Sequence, residues 1–543
     1  MSFKQELKEL THEQIWQKYC GFLDIPMEEY MQIQLRLLQE QLMLFAKSEL
    51  GRRIMGGKVP QTVTEFRKTV PLTTYDDYAD ILLAKNEGAL PAPPVVWLET
   101  TWESGSHPSK VAPYSEEMLS VYKNNILAGL VLATSTGRGR FRVSATQRAL
   151  YGLAPLPYPT GLLPLLVKSE LDLQFLPPLK EALKMSFAEQ NRVGFRQSMQ
   201  GGIDLLFGMS SIIYGITKNF SLNRSVTGEK QKGVIPGPRM LWRILNAKYR
   251  SFRDGTPARP ADLFRLNGFI CVGTDSALFK DDLERAWGCR PLEIAGGTEP
   301  TCIATETWSK NGLIFFPDAC FYEFIPESDM LKNMEDPSYT PRTFLMDELV
   351  ANENYEIVIT VLKGGAFVRY RVGDMYRCLR LKNEQDNIHL PQFEYIDRVP
   401  KVIDIAGFTR ITERAINKVI EVSRLPIADW FARKQYDDQK RSFMHLYVEI
   451  DEAAEGRGEF TRQLIRDHMS IYFRHYDHDY NDLKKLLGIE PLQVTLLTRG
   501  IMEEYAQKTG KPIRRMNPPQ QEIVNLLYLQ NGEMGRGGDG FCR

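Results

Sequence analysis

Between residues 28 and 50, Tyr30, Ile33, Leu37, Leu38, Leu42 and Phe45 recur at the three- and four-residue spacing of one helix face, with Gln and Glu on the opposite face. That spacing predicts an amphipathic helix. FRKTVPLTTYDDY (66–78) reads as a loop entering a short helix. Pro91, Pro93 and Pro94 then precede an apolar strand, Val95 to Leu98, and a polar loop follows at 99–110. From 115 to 300 helical and apolar segments alternate, opening on Glu116 and Glu117, two acids suited to a helix's first turn. Such alternation predicts helices packed on an α/β sheet. From 312 to 405 the pattern turns to strands: LIFFP, CFYEFIP, YEIVITVL, AFVRYRV and FEYID, with Gly364-Gly365 as a hairpin-type turn between two of them. Beyond Pro400, strands at 442–451 and 491–499 and helices at 457–487 and 501–508 predict a small α+β unit. The expected organisation is a large domain over 1–400, a smaller one over 401–531, and a Gly-rich, disordered tail over 532–543.

Composition narrows the class without naming it. The chain has 543 residues, 43% hydrophobic and 25% charged, and its 68 Lys plus Arg balance 68 Asp plus Glu. A chain with no net charge has no global field to hold a polyanion, so nucleic acid is not the expected partner. The apolar runs fall well short of the roughly 20 residues that span a bilayer. The first residues carry Lys4, Glu6, Lys8 and Glu9 rather than a signal peptide's apolar core. A cytoplasmic protein with no membrane partner is expected. Seven scattered cysteines with no C-x-x-C pair read as reduced thiols.

Two literal matches carry little. Gly535 to Gly540 spells G-x-G-x-x-G but has only three residues after it, where a dinucleotide fingerprint needs a helix. His475, Asp477, His478 and Asp479 read as a solvated helix surface.

Four polar elements, in order, carry chemistry. The loop Thr100 to Lys110 follows a strand and holds Ser104, Gly105, Ser106 and Lys110, the hydroxyls, amides and cation that a phosphate requires. Gly296-Gly297-Thr298-Glu299 places a hydroxyl donor beside a carboxylate able to hold Mg²⁺. Tyr370-Arg371-Val372-Gly373-Asp374 ends on an acceptor-only side chain suited to two ribose hydroxyls. Asp397-Arg398 and the stretch Asp404 to Glu413 complete the series.

This order resembles the adenylate-forming superfamily of acyl-CoA synthetases, peptide-synthetase adenylation domains and luciferase-type enzymes. More narrowly, the chain resembles the auxin-responsive acyl-acid amido synthetases, the Gretchen Hagen family. The stretches that carry it are TEFRKTVPLTTYDDY (64–78), KVAPYSEEML (110–119), CVGTDSALFKDDLE (271–284), GGTEPTCIAT (296–305), FFPDACFYEFIP (315–326), YEIVITVLKGGAFVRYRVGD (355–374) and IEPLQVTLLTRGIMEEYAQKTG (489–510). The resemblance implies an α/β fold: a large N-terminal adenylate-forming domain with a smaller, mobile α+β C-terminal domain. It implies that Ser104, Gly105, Ser106 and Lys110 form the phosphate loop and that Gly273 and Thr274 lie beside the acyl and adenine pockets. Gly297, Thr298 and Glu299 would contact adenine, α-phosphate and Mg²⁺, Asp374 the ribose, and Arg398 would be the hinge-proximal arginine. Trp102, Glu103 and His107 depart from the family's more Gly-rich loop, and Asn517 falls nearer than Lys511 to the family's C-terminal lysine. Lys511 or Arg515 is the expected cation there. The implied activity is ATP- and Mg²⁺-dependent: a carboxylic acid is activated as acyl-AMP and transferred to an amine or amino acid. The alternatives are a CoA or carrier-protein ligase using the same adenylate, and a catalytically impaired nucleotide-binding homologue.

Overall fold

Turns and caps rather than hydrophobic periodicity decide where the elements begin and end in this computed structural model. It describes residues 1–100, 107, 109–218, 220, 235–407, 409–450, 458–476 and 491–532. The expected Ser104–Ser106 segment, the 477–479 part of the acidic-histidine stretch and the tail over 533–543 lie outside the described residues.

The helix expected over 28–50 is two helices, Met27–Lys47 and Glu49–Met55. Ser48 ends the first and caps the second, its hydroxyl accepting from the Gly51 amide at 2.9 Å. The glutamines of the longer helix are not confined to its wet face. Gln34 and Gln41, seven residues apart, are both buried. Gln34 donates to the Pro317 and Cys320 carbonyls at 2.5 and 2.7 Å. Gln41 donates to the Gly365 carbonyl and accepts from the Gly364 amide, each at 2.8 Å. They satisfy loop backbone that would otherwise be orphaned in the core. Phe66 likewise belongs to a helix, Val63–Thr69, and the chain after it is extended before a single turn at Tyr75–Asp77.

Two compact units divide the chain. The first comprises 1–100 and 110–397; the second takes up the chain from Arg398. In the first, β1 (Val96–Glu99) and β2 (Val111–Tyr114) form an antiparallel hairpin. The sheet proper uses β3 (Arg148–Gly152), β4 (Gln174–Leu176), β5 (Leu205–Met209), β6 (Gly268–Val272), β7 (Leu292–Gly297), β8 (Thr301–Glu306), β9 (Leu313–Phe315), β10 (Cys320–Pro326), β11 (Asn354–Val361), β12 (Tyr370–Arg380) and β13 (Gln392–Arg398). Among the described residues these eleven strands run in the order β10-β11-β12-β13-β9-β8-β7-β6-β5-β3-β4. From β4 to β7 all pairs are parallel, and their strands are almost wholly buried, as a sheet covered by helices on both faces demands. At β7 the sense changes, because β7 turns straight back into β8 through a tight antiparallel hairpin. The expected Gly364-Gly365 hairpin is looser: residues 362–369 connect β11 to β12, with the Val361 amide donating to the Phe367 carbonyl at 2.9 Å.

The second unit holds a hairpin of β14 (Val402–Ile405) and β15 (Thr409–Thr412). Beside it is a three-stranded sheet of β16 (Ile427–Tyr436), β17 (Ser442–Ile450) and β18 (Leu492–Leu497). Phe431, Tyr447, Leu497, Ile501, Tyr505 and Leu526 pack its core. Thus the mixed α/β fold follows the expected pattern, while β14, β15, β16 and the last helix, Gln520–Gln530, carried too little periodicity to be placed beforehand.

Candidate active site

The site grows from the turn between β7 and β8, where the sheet passes from parallel to antiparallel. Gly296 is required there: a Cβ on it would sit 2.2 Å from the Thr301 carbonyl oxygen. Thr301 itself adopts a left-handed φ of 67°. The turn presents Thr298 and Glu299, both nearly inaccessible to solvent. Tyr114 of β2 fastens it, its hydroxyl donating to the Thr298 carbonyl at 2.8 Å, and the Thr298 hydroxyl donates to the Glu99 carbonyl at 3.4 Å.

Lys110 arrives from the other side. The base of the loop is closed by the Thr100 amide donating to the Lys110 carbonyl at 2.9 Å, and the Lys110 amide donates to the Thr100 hydroxyl at 3.1 Å. The ammonium lies 3.4 Å from Glu299 Oε1 and 3.3 Å from the Tyr370 hydroxyl, which in turn donates to the same Oε1 at 2.8 Å. The rings of Tyr75 and Tyr370 flank the ammonium, with centroids at 5.7 and 6.0 Å. Among the described residues both partners meet Oε1, which leaves Oε2 for a cation. A single carboxylate suits Mg²⁺, which takes its other ligands from water and phosphate oxygens.

Tyr75 and Tyr370 were not singled out from the sequence, yet each sits inside a motif that was. The two motifs hold each other. The Thr73 amide donates to the Arg369 carbonyl and the Arg371 amide to the Thr73 carbonyl, each at 2.9 Å. Arg369 donates to the Arg67 and Val70 carbonyls at 2.8 and 2.6 Å, while its guanidinium faces Glu323 at 2.8 Å. Backbone pairing between segments some three hundred residues apart thus aims both tyrosines at Lys110.

Asp374 lies further along β12. Val372, Gly373 and Asp374 stand against Ile357 alone on β11, an irregularity that Gly373 accommodates at a φ of 83°. Asp374 is half-buried and accepts from the Tyr395 hydroxyl at 3.4 Å. Gly273 and Thr274 follow the carboxyl end of β6, beside β7, where ligands of open α/β sheets enter. The Gly273 carbonyl accepts from Ser276 at 3.0 Å, in the first turn of helix Ser276–Trp287. A groove of about 690 Å³ lined by Arg67, Lys68, Arg342, Arg369 and Arg371 is a different feature. Strand alternation directs Arg371 away from Tyr370, and Arg369, at a left-handed φ of 46° just before β12, turns to Glu323. Four of its cations already face Glu348, Asp329, Glu323 and Glu356.

In the second unit, Arg398 belongs to a cationic surround for the fully buried Asp404. Burial works to raise that carboxyl's pKa, but Lys434, Arg410 and Arg398 outweigh it and, with the Gly407 amide at 2.8 Å, hold the group below its ordinary value. Asn517 is a pin. At a left-handed φ of 46° it donates to the Val402 carbonyl at 2.8 Å and accepts from the Lys434 amide at 3.0 Å. Arg515 is engaged by Asp429 at 2.6 Å and by the Trp430 ring. Lys511 is exposed, directly after the left-handed Gly510 that ends helix Ile501–Thr509.

A large parallel sheet turned antiparallel at a Gly-Gly-Thr-Glu turn, followed by a small α+β unit, defines the adenylate-forming fold. Two domain models of the GH3 family match the chain, the family's N-terminal domain over residues 22–145 and its central domain over 313–398. Among solved structures it is similar to 2-hydroxyisobutyryl-CoA ligase in complex with 2-HIB-AMP and CoA, at 15% identity over 87% of each chain and a TM-score of 0.54. It is also similar to GH3.15 acyl acid amido synthetase in complex with 2,4-DB, at 16% identity over 92% of this chain and 93% of that one, with a TM-score of 0.48. No curated protein matches it by sequence.

Proposed function

We propose that this protein is an ATP-dependent acyl-acid amido synthetase. A carboxylate oxygen attacks the α-phosphorus of ATP, pyrophosphate leaves, and acyl-AMP forms. An amine nitrogen then attacks the acyl carbon, AMP leaves, and the nitrogen gives up a proton to yield the amide. The observation that carries this reading is the Lys110–Glu299–Tyr370 cluster at the β7–β8 turn.

In it Lys110 offsets charge on the phosphates, and Tyr370 and Tyr75 fix its direction. Thr298 donates to a phosphate oxygen, Gly297 lets the nucleotide approach the turn, and Asp374 accepts from the ribose. Glu299 would hold Mg²⁺ through Oε2, and the ion when bound supplies neutralisation of the triphosphate. Gly273 and Thr274 line the acyl side, and Ser104, Gly105 and Ser106 are assigned the phosphate loop. Lys511 is assigned a further cation for the reaction; exposed as it is, Lys511→Ala should slow turnover without moving the melting temperature. Residues 1–400 are read as the catalytic domain and 401–531 as the smaller second domain. A requirement for ATP and the free thiols of the six described cysteines both fit the cytoplasm.

The test is ATP–pyrophosphate exchange across a panel of carboxylic acids, followed by mass spectrometry with amino acids or CoA supplied separately. Exchange with one acid class and an amide product are expected, and Glu299→Ala should abolish exchange in a folded protein. Acyl-CoA with no amide for any amino acid would assign the protein to the thioester ligases. No exchange with any acid would make it a nucleotide-binding homologue.

A further inference from the structure

Helix Pro238–Asp254 of the first unit turns its apolar stripe outward. Its packed side is small: Met240 and Ala247 are buried, and Arg243 reaches the Leu263 carbonyl at 2.8 Å. At 3.6 residues per turn, Leu241, Trp242, Leu245, Tyr249 and Phe252 fall together on the side opposite Met240 and Ala247. All five are exposed, Trp242 by 62% and Phe252 by 90%. Core packing does not explain a stripe of this kind, since an interior helix buries such residues.

Charge frames the stripe. Lys248 lies along one edge, and Arg239 and Arg253 along the other. The sole acid of the helix, Asp254, is joined to Arg253 at 2.7 Å on the far side. Arg250 is tied to Asp262 at 2.6 Å, which braces the helix from behind. The chain's zero net charge therefore averages over a local cationic, aromatic face.

We propose that helix Pro238–Asp254 docks this protein on an anionic lipid surface, with the five apolar side chains at the headgroup boundary and the flanking cations over lipid phosphates. The charge selects the occupant. A second copy would bring the same cations face to face, whereas an anionic bilayer complements them. The stripe runs along one exposed side of a single helix, with Trp and Tyr among its members, which a deformable headgroup layer accepts along its whole length. The absence among the described residues of any helix able to cross a membrane is no obstacle, because such a helix lies in the surface.

The full-length protein should cosediment with vesicles of phosphatidylglycerol and phosphatidylcholine in equal parts, and about tenfold less with phosphatidylcholine alone. Trp242→Ser with Phe252→Ser should weaken binding to the anionic vesicles about tenfold or more, with melting temperature and solution pyrophosphate exchange unchanged. Lys248→Glu with Arg239→Glu should erase the lipid preference. Wild-type protein left in the supernatant with both vesicle types would overturn the proposal. So would binding that the Trp242/Phe252 variant retains in full. A dimer in light scattering that this variant dissolves, without vesicle binding, would assign the stripe to a second copy. Capture of an acidic protein without vesicle binding would assign it to that protein.

Discussion

One hairpin carries a lysine–glutamate contact at each end, and the two ends do different things. At the open end of β7 and β8, Lys280 bonds Glu306 and lies 3.4 Å from Glu293, all three nearly inaccessible. The charges close on themselves: Glu306 also accepts from the Glu293 amide at 2.8 Å and the Gly312 amide at 3.2 Å. At the turn end, Lys110, just before β2, meets Glu299 with the Tyr370 hydroxyl of β12 bonded to the same oxygen. Burial of an ion pair therefore does not mark a site by itself, since buried pairs also serve structure. What separates the ends is Glu299 Oε2, to which no partner comes among the described residues, the left-handed turn beneath it and the aromatic faces that aim the lysine.

The largest effect should come from Lys110→Ala, which is expected to lower pyrophosphate exchange by about 10²- to 10³-fold, with a smaller loss of stability than Lys280→Ala because Glu299 keeps its Tyr370 partner. Lys280→Ala should do the reverse. Leaving two carboxylates without their cation should cost about 3–5 kcal/mol in denaturant unfolding, with exchange per folded molecule retained. If both variants lost stability equally and exchange equally, the distinction between the two ends would be gone.

The next test is by pH. Burial pushes the Glu293 carboxyl up from 4.5 to about 7, Lys280 pulls it down and Glu306 pushes it further up. A raised carboxyl stabilises the fold while protonated, so this contribution is complete below about 4.5 and is lost as pH rises through about 7. Glu293→Gln should flatten that limb of the stability curve. The second unit slopes the other way: burial lowers His445 from 6.5 to about 4, so its contribution holds above 6.5 and is lost as pH falls toward 4. Unfolding curves collected across this range, with Glu293→Gln and His445→Gln, separate the two limbs; a Glu293→Gln curve parallel to wild type would show that Glu293 does not set the limb that falls as pH rises.

The order of the polar motifs was legible in the sequence because each is a short run of special residues, Gly296 to Glu299 above all. Their coupling was not. Tyr370 sits in a strand whose alternation reads as core, and only the Thr73–Tyr370 bridge, made across most of the chain, decides what it faces. Gln34 and Gln41 followed the same rule in reverse, as polar residues that a helical wheel assigns to water and distant carbonyls draw inside. Asn517 matters through φ and backbone partners, which side-chain chemistry does not reveal. The stripe on 238–254 escaped because periodicity reports that a face is apolar and not which way it points.

The smallest expected effect sharpens the comparison most, because it alters one atom. Tyr370→Phe keeps the ring beside Lys110 and removes only the hydroxyl that bridges Glu299 and the ammonium. One hydrogen bond to a charged group supports a fall in stability of about 1 kcal/mol and in exchange of about fivefold to tenfold. Glu299 would remain able to hold a cation, and Lys110 would remain between two aromatic faces, so activity should not vanish. Among the described residues the open end of the hairpin has no such group, and its lysine is held by the Glu293 and Glu306 carboxylates. A Tyr370→Phe enzyme as slow as Lys110→Ala would mean that the hydroxyl itself touches the reacting phosphate, and Tyr370 would then be catalytic rather than positioning. An unchanged exchange rate would reduce it to packing and leave Oε2 and the turn as the features that set the two ends apart.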